Sequence, residues 1–178
     1  MKKNVLIISS SPRVNSNSLG LCQQFCKGAK ESGHNVELVN LQNTKIGYCI
    51  GCYACQNTGK CFQKDDMQNI QQKMLNADVI VFATPVYFYS MSAQLKTLID
   101  RTTPFYTQVR ADIYLFATAW DSEKNNLLST IEAMRGLTRD CFENCQEKGV
   151  IVCADTHKQG DVISKPEYNT AYEMGKNC

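Results

Sequence analysis

The stretch Val5-Leu6-Ile7-Ile8-Ser9-Ser10-Ser11-Pro12-Arg13-Val14-Asn15-Ser16-Asn17-Ser18 decides the fold. Its four consecutive apolar residues, with no polar alternation, are what a strand covered on both faces requires. The run then breaks into hydroxyls, amides and a proline, and Cys22, Phe25, Cys26 and Ala29 follow on one helical face. A buried strand, a polar turn and an amphipathic helix make the opening unit of a parallel sheet.

The same alternation recurs along the chain. Apolar runs at Asn35–Leu41, Val79–Ala83, Ile113–Thr118 and Val150–Ala154 read as further strands. Between and after them, helical stripes are formed by Met67, Ile70 and Met74, by Leu95, Leu98 and Ile99, by Leu127, Leu128, Ile131 and Met134, and by Tyr168, Ala171 and Tyr172. No hairpin signal interrupts the series. The expected fold is therefore α/β, a doubly wound five-stranded parallel sheet with helices on both faces and right-handed crossovers. Strand order 2-1-3-4-5 or another doubly wound order fits the pattern, and either places ligands at the carboxyl ends of the strands, by the switch point. With no repeat, low-complexity tract or linker, residues 1–178 read as one domain.

Apolar residues make up 43% and charged residues 20% of the chain, the balance of a globular protein. A net charge of +2 with scattered cations gives no reason to expect a nucleic-acid or membrane partner. The apolar run after Lys3 stops at Ser9, and none reaches the roughly 18 residues of a membrane span, so a cytoplasmic location is expected. Ten cysteines are then expected as reduced thiols or metal ligands rather than disulfides.

The polar turn is a candidate phosphate site. The first N–H groups of a helix are unpaired, and the partial positive charge there stabilises an anion. Ser11, Ser16 and Ser18, the amide of Asn17 and the cation of Arg13 supply more than a simple cap needs. The glycine fingerprint of dinucleotide sites and the Gly-Lys-Ser/Thr element of triphosphate loops are both missing, which favours a mononucleotide. At the same sheet edge, Pro85-Val86-Tyr87-Phe88 after the third strand presents backbone amides and aromatic faces, and Thr118-Ala119-Trp120-Asp121 and Asp155-Thr156-His157 end the next two strands. Trp120 either covers a ligand or packs in an interface, whereas His34 and His157 read as surface residues. Asp65-Asp66 reads as a helix cap, and Lys96 and Asp100 as a solvated i,i+4 ion pair.

One segment breaks the rhythm. Asn43–Lys64 is a long loop holding Cys49, Cys52, Cys55 and Cys61 in the spacing C-x2-C-x2-C-x5-C. Soft thiolates so closely spaced on a loop can wrap an iron or zinc centre, with Gly51 and Gly59 giving the backbone its freedom. A structural zinc staple, redox-active thiols without metal, or a lid with incidental cysteines are the alternatives. Cys22 and Cys26, and likewise Cys141 and Cys145, read as core-facing pairs on helices.

Ser11-Pro12-Arg13 with Asn17-Ser18, Cys49…Cys61 with Asp65-Asp66-Met67, and Thr84-Pro85-Val86-Tyr87 with Gln94-Leu95-Lys96 and Asp100-Arg101 together resemble the flavodoxin-like NAD(P)H-dependent FMN reductase superfamily, and within it the iron–sulfur flavoproteins. The resemblance implies the flavodoxin-like order 2-1-3-4-5. It implies FMN, its phosphate on Ser11, Arg13, Ser16, Asn17 and Ser18 and its ring near Pro85, Val86, Tyr87 and Phe88, with Thr118 and Ala119 alongside. It further implies a [4Fe–4S] cluster on the four loop cysteines, NAD(P)H or a ferredoxin-like electron donor, and a homodimer or homotetramer. Ser10 and Trp120 depart from the family pattern, in which glycine or small residues are usual. An FMN-dependent oxidoreductase is the expected function. The readings from other classes are a flavodoxin-type electron carrier and a zinc-stapled binding module.

Overall fold

The computed structural model describes all residues, Met1–Cys178. Strands β1 (Asn4–Ser9), β2 (Asn35–Asn40), β3 (Val79–Tyr87), β5 (Asp112–Thr118) and β6 (Gln146–Cys153) pair in parallel in the order β2-β1-β3-β5-β6. Renumbered over these five strands alone, this is the 2-1-3-4-5 order expected from the sequence. Helices α1 (Asn17–Glu31), α3 (Met67–Leu75), α4 (Ala93–Asp100), α5 (Leu128–Thr138) and α6 (Pro166–Lys176) cover the sheet.

The absence of alternation in the strands is explained by two cores, one on each face. Leu6 and Ile8 of β1, Ile80 and Phe82 of β3 and Leu115 of β5 pack with Met67, Ile70, Leu95, Leu98 and Ile131 from α3, α4 and α5. The intervening residues Val5, Ile7, Val79, Val81 and Phe116 face the other way, onto Leu21, Cys22 and Phe25 of α1 and Ala171 of α6. Because successive strand side chains point to opposite faces, a central strand here must be apolar at every position. Each such side chain, fully buried, contributes roughly 1.5–3 kcal/mol.

Helices α1 and α6 approach until their backbones touch. A Cβ on Gly28 would lie 2.2 Å from the Tyr172 carbonyl oxygen, and one on Gly175 would lie 2.1 Å from that of Phe25. Only glycine at both positions permits this contact.

Three expectations need correction. A sixth strand, β4 (Ser90–Met91), pairs antiparallel with the end of β3. The turn between them holds Phe88 and Tyr89 at φ 50° and 58°, a left-handed pair usually signalled by Asn-Gly and invisible in an aromatic sequence. The cysteine segment is not all loop, since Cys55 sits on the short helix α2 (Ala54–Thr58). Cys141 and Cys145 lie beyond α5, which ends at Thr138, where the amides of Cys141 and Phe142 fold back onto the Leu137 carbonyl. Cys141 is consequently exposed, and the Cys145 thiol points to the Val109 carbonyl. Cys22 and Cys26 do lie on α1, with Cys22 in the core.

Candidate functional site

The carboxyl ends of β1, β3, β5 and β6 open into a cleft of about 460 Å³, within the range of small-molecule sites. Its polar wall is the turn after β1. Ser16 caps α1, its Oγ accepting the Leu19 N–H at 3.2 Å, and the Ser16 and Ser18 hydroxyls lie 3.4 Å apart. Ser11 Oγ accepts the Arg13 N–H at 3.2 Å. The backbone N–H groups of Asn17 and Ser18, first in α1, take part in no backbone hydrogen bond. Free amides, buried hydroxyls and one guanidinium thus converge at the positive end of the longest helix, which suits a phosphate dianion.

Asn17 lines the cleft, and its side chain is also tied to structure. Its Nδ2 donates to the Lys158 carbonyl at 2.9 Å and its Oδ1 accepts the Val162 N–H at 3.2 Å, so its side chain ties α1 to the segment after β6. Ser10, where the family pattern has glycine, is also committed to structure. Its hydroxyl donates to the Ala83 carbonyl at 2.9 Å and meets Ser92 Oγ, the α4 cap, at 2.9 Å.

The apolar wall is Pro85, Val86 and Tyr87 from β3, and Thr118 and Ala119 end β5 beside it. Phe88 is not in the cleft. The left-handed turn throws it outward and leaves it fully exposed (101%). Trp120, Thr156, His157 and Gln159 complete the lining. The His157 imidazole meets the Trp120 ring edge-to-face at 5.3 Å and Asp155 Oδ1 at 3.0 Å. A hydrogen bond from Lys165 holds the Asp155 carboxyl below the ordinary aspartate range. Thr156 Oγ1 donates to the Ala119 carbonyl and Gln159 to that of Val14, closing the rim. Asp155-Thr156-His157 was placed at this sheet edge from the sequence, but Gln159 was not singled out and His157 was read as a surface residue. Their one signal was position, immediately after the strand that neighbours β5.

A second pocket lies where the cysteine loop meets the end of α4. Cys49, Cys52, Cys55 and Cys61 all line it, beside Arg101. Nowhere in the chain do three His, Cys, Asp or Glu side chains close to the spacing of a single metal ion. Four thiols lining one pocket are a donor set that either an iron–sulfur group or a zinc ion takes.

The loop's neck is laced by polar bonds. Asp66 and Lys45 exchange N–H bonds, at 2.6 Å to the carboxylate and 3.1 Å to the carbonyl. Gln63 donates to the Tyr48 carbonyl, and Asp65 accepts N–H bonds from Gly47 and Met67. Asp65 thus reaches the first N–H of α3 while also pairing with Arg101 at 2.7 and 3.0 Å, whereas Asp66, at the cap position itself, makes no side-chain cap bond. Burial works to raise the Asp65 carboxyl, but the bonds from Arg101, Gly47 and Met67 outweigh it and the net shift is downward. Lys96 and Asp100 form the expected exposed pair at 2.6 Å.

The other cysteines are separate from this pocket. Burial pushes the Cys153 thiol up to about 12, with Glu167 adding to the effect, and burial raises Cys22 as well. Both remain protonated packing residues.

A family model described as NADPH-dependent FMN reductase matches residues 3–131. An iron–sulfur flavoprotein of Archaeoglobus fulgidus is 38% identical over 98 residues, covering 55% of this chain and 44% of the relative. Another, of Methanocaldococcus jannaschii, is 41% identical over 100 residues, covering 56% and 52%. The chain thus matches about half the length of these curated relatives. Among solved structures, an NAD(P)H:quinone oxidoreductase from Methanothermobacter marburgensis superposes with a TM-score of 0.76 at 18% identity, covering 99% of this chain and 97% of that one. That last likeness speaks for the fold.

Proposed function

The chain belongs to the NADPH-dependent FMN reductase family, and from that premise we propose that it is an FMN-dependent oxidoreductase whose four loop cysteines hold a [4Fe–4S] cluster. The observation that carries the proposal is the cleft at the sheet's carboxyl edge, with a phosphate-like cradle at one end and a flat apolar wall at the other.

Ser11, Arg13, Ser16, Ser18 and the free amides of α1 would hold the phosphate. Asn17 supports them by fixing the helix end. Pro85, Val86 and Tyr87 would carry the ring, with the backbone of Thr118 and Ala119 along its polar edge. When bound, FMN supplies hydride and single-electron transfer, and the protein needs only to orient the ring and limit access of water. Trp120 stands at the mouth, mostly exposed, where it can cover a ligand.

The donor is NAD(P)H or a ferredoxin-like protein, and the acceptor a flavin, a quinone or another small electron acceptor. A homodimer or homotetramer fits the exposed aromatics Phe88, Tyr89 and Trp120 around the cleft, which a second copy would cover. No helix is long and apolar enough to cross a membrane. Ten unpaired cysteines support a reducing, cytoplasmic setting.

Purification under argon tests the reading. The expected product carries one FMN per chain and iron and acid-labile sulfide in equal amounts, and it oxidises NAD(P)H with a quinone or free FMN as acceptor. A colourless chain that refuses excess FMN overturns the proposal. Flavin without turnover from either NAD(P)H or a reduced ferredoxin turns it towards a flavodoxin-type carrier, and zinc in place of iron towards a stapled module.

A further inference from the structure

Arg101, the residue after α4, is 2% exposed although it carries a full charge. Its Nη1 donates to the Gly47 carbonyl at 2.6 Å, to Gln63 Oε1 at 3.2 Å and to Asp65 Oδ2 at 2.7 Å, and its Nη2 donates to Asp65 Oδ1 at 3.0 Å. Gly47 precedes the first loop cysteine, and Gln63 and Asp65 follow the last. One guanidinium therefore clasps both sides of the loop's neck.

The Nε atom is different. Nε is buried and has no partner. Leaving such a donor unpaired costs roughly 1–3 kcal/mol, more for a charged group, so its persistence needs an explanation. The side chain lines the same pocket as the four thiols, and Cys61 lies against the guanidinium. A buried cation with an unpartnered Nε, set among four soft sulfur donors, is half of a charge-compensated site.

We propose that Arg101 is the positioning residue of the cysteine site, its Nη groups fixing the loop and its Nε–H and charge serving the group that the four sulfurs bind. The assignment rests on the reading that these cysteines hold an iron–sulfur cluster. A cluster on four thiolates is anionic, and reduction adds one more negative charge, so a fixed cation and a donor N–H both favour the reduced form. Lysine would keep the charge but lacks the planar fork that bridges Gly47, Gln63 and Asp65. The two roles can therefore be separated by substitution.

The test uses the full chain, purified anaerobically as wild type, Arg101→Gln and Arg101→Lys. Iron and sulfide retention is measured against a chelator, the cluster potential by an EPR-monitored reductive titration, and FMN content as the control. Arg101→Gln is expected to retain iron roughly 10-fold less well and to shift its remaining cluster to a more negative potential, with FMN content unchanged. Arg101→Lys is expected to restore the potential but not the retention. Wild-type retention and potential in Arg101→Gln overturn the assignment. Loss of FMN together with iron also overturns it, because Arg101 is then a residue of the whole fold. A wild-type chain that binds FMN yet takes up no iron is a different failure: it refutes the cysteine-site reading itself, and the assignment with it.

Discussion

The cleft and the cysteine pocket are made in opposite ways. The cleft is cut into the sheet: its cradle stands on Ser9, Ser10 and Ser18, all fully buried, and its other wall is the end of a central strand. The cysteine pocket hangs beside the sheet, its Cys49 and Cys52 exposed, and is held by a handful of polar bonds gathered on Arg101 and Asp65. The first takes its shape from packing and has a form before any ligand arrives. The second has a fixed neck and sulfurs that await something to hold.

The comparison breaks most readily at the cradle. In Ser16→Asp the aspartate still caps α1, so the fold is retained, but a carboxylate now occupies the phosphate end. Like charges so placed cost about 3 kcal/mol or more, and FMN affinity is expected to fall at least ~100-fold in a fluorescence titration. An unchanged affinity would move the phosphate elsewhere.

Next in size is the support beneath the cradle. Gly175→Ala drives a methyl group into the Phe25 carbonyl, and overpacking of this kind costs roughly 2 kcal/mol. The thermal midpoint should drop by roughly 4–8 °C. The cysteine pocket, on the other face, should keep its iron in the folded variant. If both sites fail together at low temperature, they are less independent than their construction suggests.

Acid should act in the reverse order. The Asp65 carboxyl is held below its ordinary value, so its contribution is complete above about pH 4 and is lost as the pH falls through the lowered value. The neck of the cysteine loop is then expected to exchange its amide hydrogens, or be cut by an acid-active protease, before the helical circular dichroism changes. Simultaneous loss would show the loop to be as deeply rooted as the sheet.

The smallest effect belongs to the turn at the cleft's lip. Phe88→Asn with Tyr89→Gly supplies the residues a left-handed two-residue turn prefers and should stabilise the protomer by up to about 1 kcal/mol. FMN affinity measured at concentrations where the chain is monomeric should not change, because Phe88 lies outside the cleft.

What could be read from the sequence divides along the same line. The five parallel strands and the serine-rich cradle were legible because burial on two faces and a capped strand–helix turn leave local patterns, as in Val5–Ile8 and Ser16–Ser18. Residues that complete the cleft from afar left only their place after a strand end. Gln159 acquires its place only when β6 is laid beside β5, and the bonds of the Asn17 side chain to partners 141 and 145 positions away have no local signature. Phe88 was misplaced because its backbone adopts a conformation its residue type argues against. In the cysteine segment the donor set was plain, but Arg101 was only part of a family motif, and its buried fork onto both sides of the loop is a property of three dimensions.

The tie from Asn17 to Val162 has a consequence for biosynthesis. The first wall of the cleft is translated some 140 residues before Lys158 and Val162, the partners that steady it. On the ribosome the serine turn stays unclasped until those two residues have emerged. If the cleft takes FMN as proposed, a nascent chain stalled before Lys158 should bind it more weakly than one that includes Val162.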